Sequence, residues 1–481
     1  MTVESTDEEL RHSGYQPELK RTLGGFQVFA ISFAFISVLV AIFATYGAVL
    51  NYSGPVGIWL WIIAAVGQTL VALVVAQFAA RIALTGSSYQ WASRLANPKV
   101  GWFFGWLTFW FLAIGVVAMN SALASQAVMP LLGMTPDEGA ARLITLALML
   151  AEAVLVIAST TLLGKVTSTT VGLELAILAA LIVGLGAVMV FSGSGTPDNL
   201  VSQGVAAGTP NYFAIGGGLM AGMIMGLTTL VGFDSAANLA EEAKDPFRTV
   251  PRAIVSSVVA SATIGLLFVV VLTLAIKDIP AVTSSGSPVA AIIRGQLGPV
   301  VERILLTGIA FAMFGAGMVM IAACSRQAFA MARDGRFPAH TVMRKVSPRT
   351  QTPVPATILI LVIGVVLMLA LPGDALLQLI VASTILPALL YGGIVVLYLC
   401  VRKRLNTKEG AFSLGRFEVP VAYTALAWVA FSIFVLVSPT EARVPGVIAL
   451  GLIAVGGLYF VTLLVTNRAA LETEPGDPGA F

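Results

Sequence analysis

Charge is scarce in this chain: Asp, Glu, Lys and Arg make up 11% of its 481 residues, where soluble globular domains carry about 25%. That shortage excludes a water-soluble fold. Histidine is rarer still. His12 and His340, the only two, lie outside the apolar runs, and there is no paired-cysteine motif, so the usual metal-centred and nucleophilic enzyme constellations are missing. The two cysteines, Cys324 and Cys400, fall where a reducing compartment is expected, which argues against a structural disulfide. Gly164-Lys165 lacks the upstream glycine of a phosphate-binding loop, and no soluble nucleotide domain accompanies it, so an energised pump is excluded too. No cofactor and no metal is called for.

What the chain has in abundance is apolar length. It is 58% hydrophobic with a mean hydropathy of +0.93. Twelve apolar stretches, at residues 24–50, 57–80, 101–128, 141–161, 169–192, 213–240, 253–276, 304–331, 354–371, 375–400, 419–437 and 444–466, match the ~20 residues needed to cross a bilayer. The ninth and eleventh are the shortest. Placing the N-terminus in the cytoplasm leaves only Arg142, Lys277, Arg294, Arg303 and Arg443, of 27 Lys and Arg, on the outer side. By the positive-inside rule both termini are therefore expected in the cytoplasm, at the plasma membrane. The pI of about 8.9 follows from this topology and the anionic inner leaflet, and implies no nucleic-acid partner. Residues 1–22 read as a polar tail without the apolar core of a signal peptide. The stretch 467–481 is polar and rich in Pro and Gly, and is expected to be disordered.

The sixth stretch is interrupted in its middle by Gly226-Leu227-Thr228-Thr229-Leu230-Val231-Gly232-Phe233-Asp234. Lipid offers no hydrogen bonds to freed backbone, so such an interruption survives only where it lines a protected cavity. Gly218, Gly222 and Gly226 recur every four residues, a smooth face for close helix packing. Spans 1–5 and 6–10 would run in opposite senses as two copies of one unit, the inverted-repeat plan. Span 1 carries Ser32 and Ser37 at the corresponding place, but serine can bond back to its own helix without breaking it.

At these residues the chain resembles the amino acid–polyamine–organocation transporters. Gly232 to Pro246, continuing through Arg248, Val250, Pro251 and Arg252, looks like that superfamily's sixth helix and following loop. Ser325-Arg326-Gln327 and Met331-Ala332-Arg333-Asp334-Gly335-Arg336-Phe337-Pro338 look like its signature after helix 8. Gly14 to Arg21 is similar to the opening of the amino acid/choline permease branch. The resemblance implies an all-α membrane protein of 12 transmembrane helices. Its core, residues 23–402, would be a LeuT-like 5+5 inverted repeat, and residues 403–466 would add a loop and two further helices. It implies a substrate held between broken helices 1 and 6 by Ser32, Phe33, Phe35, Ile36, Ser37, Thr228, Thr229, Val231, Gly232 and Phe233. Many relatives carry Gly-x-Gly in helix 1 where this chain has Phe35, Ile36, Ser37 and Val38, and several place a large aromatic where Thr228 stands. A gate is then expected from Phe33, Phe35 or Phe233.

Each carboxylate inside the membrane needs a reason, since ionised side chains there cost at least ~2.5 kcal/mol. Three stand out: Glu152 in span 4, Glu174 in span 5 and Asp234 at the break. The family fold puts Glu174 beside helices 1 and 8, where relatives keep a sodium site or a titratable residue. From Gly308 to Cys324, span 8 has no Ser or Thr, and hard cations require oxygen ligands. The expected coupling ion is therefore a proton, carried by Glu174 or Asp234. Glu241 and Glu242, followed by Lys244 and Asp245, could latch a cytoplasmic gate onto Arg333 or Arg336, or form a solvated helix end. The leading reading is a secondary transporter of an amino acid or related amine, its partners being substrate, proton and bilayer. Exchange, a non-transporting nutrient sensor and a membrane enzyme are the alternatives, and the oligomeric state is left open.

Overall fold

Because backbone amides in lipid must find partners within their own segment, the apolar runs close into helices. The computed structural model describes residues 24–81, 87–158, 160–240, 243–350, 352–371, 375–405, 411–439 and 443–472, and these hold helices and turns without a β-strand. Eleven of the helices are long and apolar enough to cross a membrane. A twelfth, Val354–Ala370, is shorter; it is the ninth expected span. The main helices are α1 (Gly25–Ile36), α2 (Val38–Tyr52), α3 (Leu60–Ala79), α4 (Ser87–Leu95), α5 (Pro98–Ala122), α6 (Glu138–Ala158), α7 (Thr160–Ser192), α8 (Met223–Thr229), α9 (Pro246–Leu274), α10 (Pro288–Arg333), α11 (Val354–Ala370), α12 (Ala375–Val401), α13 (Glu418–Val437) and α14 (Arg443–Thr466).

Local chemistry sets several helix starts. Proline stands in the first turn of α5, α9 and α10, where its missing N–H costs nothing. Asn97 accepts the N–H of Val100 at 3.0 Å to cap α5, and Asp137 accepts that of Ala140 at 2.6 Å to cap α6. Between the seventh and eighth apolar stretches the chain is partly helical, and α10, which starts there at Pro288, contains a sharp joint at Gly298, whose φ of 84° and ψ of 168° are open to glycine alone.

Two spans are broken. The first divides into α1 and α2 at Ser37. The sixth ends its helix at Thr229, unwinds, and resumes as a 3₁₀ turn over Phe233–Leu239. α9 packs against α3 and α1, α12 against α5, and α10 against α7 and α5, so the breaks sit inside the bundle. The last two helices join from the side. Trp106 of α5 donates its indole N–H to the carbonyl of Leu452 in α14 at 2.9 Å, while Glu418 at the start of α13 pairs with Arg81 at 3.3 Å and Arg402 at 3.7 Å.

Candidate binding site at the two helix breaks

The first break is made by a residue that resists it. Ser37 has φ 46° and ψ 71°, the left-handed region, which costs a side-chain-bearing residue roughly 1–2 kcal/mol. Hydrogen bonds offset that cost. Its N–H donates to the carbonyl of Phe33 at 3.2 Å, and its hydroxyl donates to Oε1 of Glu174 at 3.1 Å. The same oxygen accepts the N–H of Leu39 at 3.2 Å. Glu174, reaching across from α7, thus caps the N-terminus of α2, where a carboxylate also meets the positive end of the helix dipole.

At the second break Gly232 has φ 81°. A side chain there would run into the ring of Phe35. The freed N–H of Gly232 donates to the phenol oxygen of Tyr391 at 2.9 Å, and that phenol donates to Oδ1 of Asp234 at 2.9 Å. Phe233 stacks on the same tyrosine, with ring centres 4.8 Å apart. Thr229 bonds back to the carbonyl of Met225 at 2.6 Å, whereas Thr228 turns outward to share a 2.8 Å bond with Thr384 of α12. The two breaks are joined directly: the hydroxyl of Ser32 donates to the carbonyl of Phe233 at 3.0 Å and lies 2.9 Å from that of Ser257 in α9.

Between the breaks is a cavity of about 90 Å³, small beside the ~300–1,000 Å³ of a drug-sized pocket. Phe35, Ile36, Ser37, Thr228 and Val231 line it from the broken spans, and Ser383 and Thr384 from α12. Its other wall is apolar: Phe111, Gly115 and Met119 of α5 with Met320 of α10. The cavity adjoins, at Ala44 and Ile380, a vestibule of about 930 Å³. That vestibule opens on the face opposite Gly24 and Glu472, past Asn51, Gln126, Arg142 and Arg294.

Of the ten residues expected to hold substrate, five line the cavity. The other five build its floor and hinges: Ser32, Thr229, Gly232 and Phe233 through the contacts above, and Phe33 by packing on Phe29 with ring centres 5.9 Å apart. Glu174 stands directly behind Ser37, and Asp234 beneath Tyr391. Sequence reasoning missed Tyr391, Ser383 and Thr384. A signal was present, since two adjacent hydroxyls followed by Pro387 inside an apolar span is the same kind of irregularity that marked span 6. The third carboxylate, Glu152, accepts from Asn120 at 2.8 Å behind the cavity wall, where α10 passes close at Gly317. Among the described residues no group of three or more His, Cys, Asp or Glu is placed to hold a metal ion.

On the face where the described chain starts and ends, at Gly24 and Glu472, the two arginines of the expected latch differ in burial. Glu241 and Glu242 lie outside the described residues. Arg333 is exposed, its guanidinium over the ring of Phe329 at 5.9 Å. The buried cation is Arg336 instead, at 0% exposure. It donates to the phenol of Tyr89 on α4 at 2.8 Å and to the carbonyl of Ala470 at 2.7 Å. Tyr89 in turn donates to Asp334 at 2.6 Å. Burial holds the Tyr89 phenol well above its usual range, against the pull of Arg336 and with the push of Asp334, so it stays a neutral donor.

Two broken spans meeting over a small, largely apolar cavity that adjoins an open vestibule are an arrangement of multi-pass membrane transporters. The chain belongs to the amino acid permease family, whose model matches residues 23–458. It is 28% identical to the amino-acid permease BAT1 homolog of Oryza sativa subsp. japonica, over 94% of this chain and 92% of that protein. It is 25% identical to the GABA-specific permease of Saccharomyces cerevisiae, over 90% and 78%, and 23% identical to a putative polyamine transporter of Candida albicans, over 95% and 87%. Among solved structures it is similar to a manganese transporter of Eremococcus coleocola, with a TM-score of 0.56 at 12% identity over 94% of this chain and 98% of the other. That likeness gives the fold alone.

Proposed function

We propose that this permease is a secondary active transporter that takes a small amino acid or related amino compound into the cell together with a proton, by alternating access, with both chain ends in the cytoplasm. One observation carries the reading: a single oxygen of Glu174 occupies both the Leu39 amide and the Ser37 hydroxyl at the start of α2. An ionised Glu174 holds those donors to itself. A proton on the carboxyl weakens both bonds, because a neutral acid is a poorer acceptor than a carboxylate, and frees the half-helix N-terminus. The carboxylate of an incoming substrate then has donors and a favourable dipole to meet. Proton and substrate load together, and release of the proton on the far side returns Glu174 to α2 and displaces the substrate's carboxylate.

The hydroxyls of Thr228, Ser383 and Thr384 and the freed carbonyls of the sixth span would face the amine, with Phe35 and Val231 beside it. Asp234, tied to the break through Tyr391, is the reserve proton carrier. Purified protein in liposomes tests this reading. Glu174→Gln, a neutral mimic of the protonated acid, keeps substrate binding and exchange but loses accumulation driven by an imposed pH gradient. Wild-type pH dependence in that variant overturns the assignment and passes the role to Asp234.

A further inference from the structure

We propose that residues 468–471 form a strap that holds the face of Gly24 and Glu472 closed, acting through Arg336 and Tyr89 on the broken sixth span. The inference uses the transport reading only for direction. It stands on a junction that no part of the substrate site requires.

After α14 the chain turns back at Asn467 into a short 3₁₀ turn, Arg468–Leu471. Leu471 is 1% exposed, so the turn is seated in the bundle. From that seat the carbonyl of Ala470 accepts the Nε–H of Arg336. A fully buried guanidinium is costly unless its donors are used, and this one relies on the strap for Nε and on Tyr89 for Nη1. The carbonyl of Arg336 is held as well, by the indole N–H of Trp102 at 2.9 Å.

Tyr89 carries the link inward. Its helix, α4, packs against the Phe233–Leu239 turn and against α12, and neighbouring Trp91 stacks on Phe78 of α3 at 5.4 Å. The cavity already communicates with the vestibule on the opposite face. To open toward Gly24 and Glu472, the Phe233–Leu239 turn must move, and α4 must move with it. While Ala470 fixes Arg336 and Arg336 fixes Tyr89, α4 is held. The strap therefore stabilises the state open on the vestibule side.

The test uses the full chain carrying Leu471→Glu, which puts a charge into the buried seat without touching Arg336, and a second chain lacking residues 468–481. Hydrogen–deuterium exchange is read over 87–95, 233–240 and, as control, 138–158 in α6. Release of the strap raises exchange in the first two segments about tenfold, the weight of one charge-assisted bond, and leaves α6 unchanged. Uptake at saturating substrate rises while apparent affinity from the vestibule side falls. Unchanged exchange at 87–95 and 233–240 in the deletion variant overturns the proposal. Lost protection throughout the bundle, α6 included, in both variants also overturns it, by making the segment part of the framework. Because the exchange readout needs no substrate, a failure of the strap is told apart from a failure of the proton-coupled reading.

Discussion

Ser32 and Phe233 join the two broken spans by one hydrogen bond, hydroxyl to carbonyl at 3.0 Å. The carbonyl that accepts it belongs to the first residue of the 3₁₀ turn with which the sixth span resumes, and the hydroxyl that donates belongs to α1. The bond therefore ties the terminal-side halves of both spans to each other.

Gly232 tolerates no side chain. Replacing it by Ala costs roughly 1–2 kcal/mol for the left-handed backbone alone and pushes against the Phe35 ring that lines the cavity. Replacing it by Leu abolishes substrate binding while expression stays measurable. A ligand-dependent thermal shift reads both variants, and an undiminished shift in the Leu variant overturns the placement of the site.

Tyr391 serves two groups at once, the buried Gly232 amide and the part-buried Asp234 carboxylate. Tyr391→Phe keeps the ring that stacks on Phe233 and removes only the phenol oxygen. The expected loss is about 1–3 kcal/mol for the buried Gly232 amide deprived of its acceptor, with transport impaired more than surface expression. Melting temperature and uptake, measured on the same preparation, check this.

Ser37→Gly sets two effects against each other. Glycine relieves the strain of the positive φ, roughly 1–2 kcal/mol, and loses the hydroxyl bond to Glu174, worth about 1.5–3 kcal/mol with a charged acceptor. Stability changes by little. The pH profile of uptake shifts upward, because a donor favouring the ionised carboxylate is gone and protonation becomes easier. A profile that does not move separates Glu174 from coupling.

Transport is expected to run without sodium. Span 8 has no hydroxyl between Gly308 and Cys324, and at Gly315 it presses against Thr170 of α7. Uptake at fixed pH and membrane potential should be unchanged when choline replaces sodium, once choline is shown not to compete. Collapse of uptake would contradict the proton assignment.

The spans were legible because apolar length alone sets a membrane helix, and even the shortness of the ninth was readable. The break in the sixth span was legible as well, since glycine and threonine in lipid have few structural excuses. The break in the first was expected only through the family resemblance, and its own residues did not report it. Ser37 is an L-residue in a conformation its own preference opposes, and what holds it there is Glu174, 137 positions away. No local pattern reports such a partner. Tyr391 was hidden for the opposite reason, because one tyrosine in an apolar helix looks like ordinary packing until a freed amide is found at its hydroxyl. Arg336 and Arg333 stand three residues apart in one motif, and only the fold tells the buried cation from the exposed one.

Among the spans, α11 has 17 residues, which rise about 25 Å at 1.5 Å per residue, against a hydrocarbon layer of ~30 Å. Its outward residues, Ile358, Val362, Val365, Val366 and Leu369, are exposed on the bundle surface. Along this edge the bilayer must thin or the helix must stand nearly upright, since tilting would shorten its reach further. Acyl-chain length is then a variable of the protein's activity: a thicker membrane loads its strain onto α11, and through it onto α6 and α10, against which α11 packs.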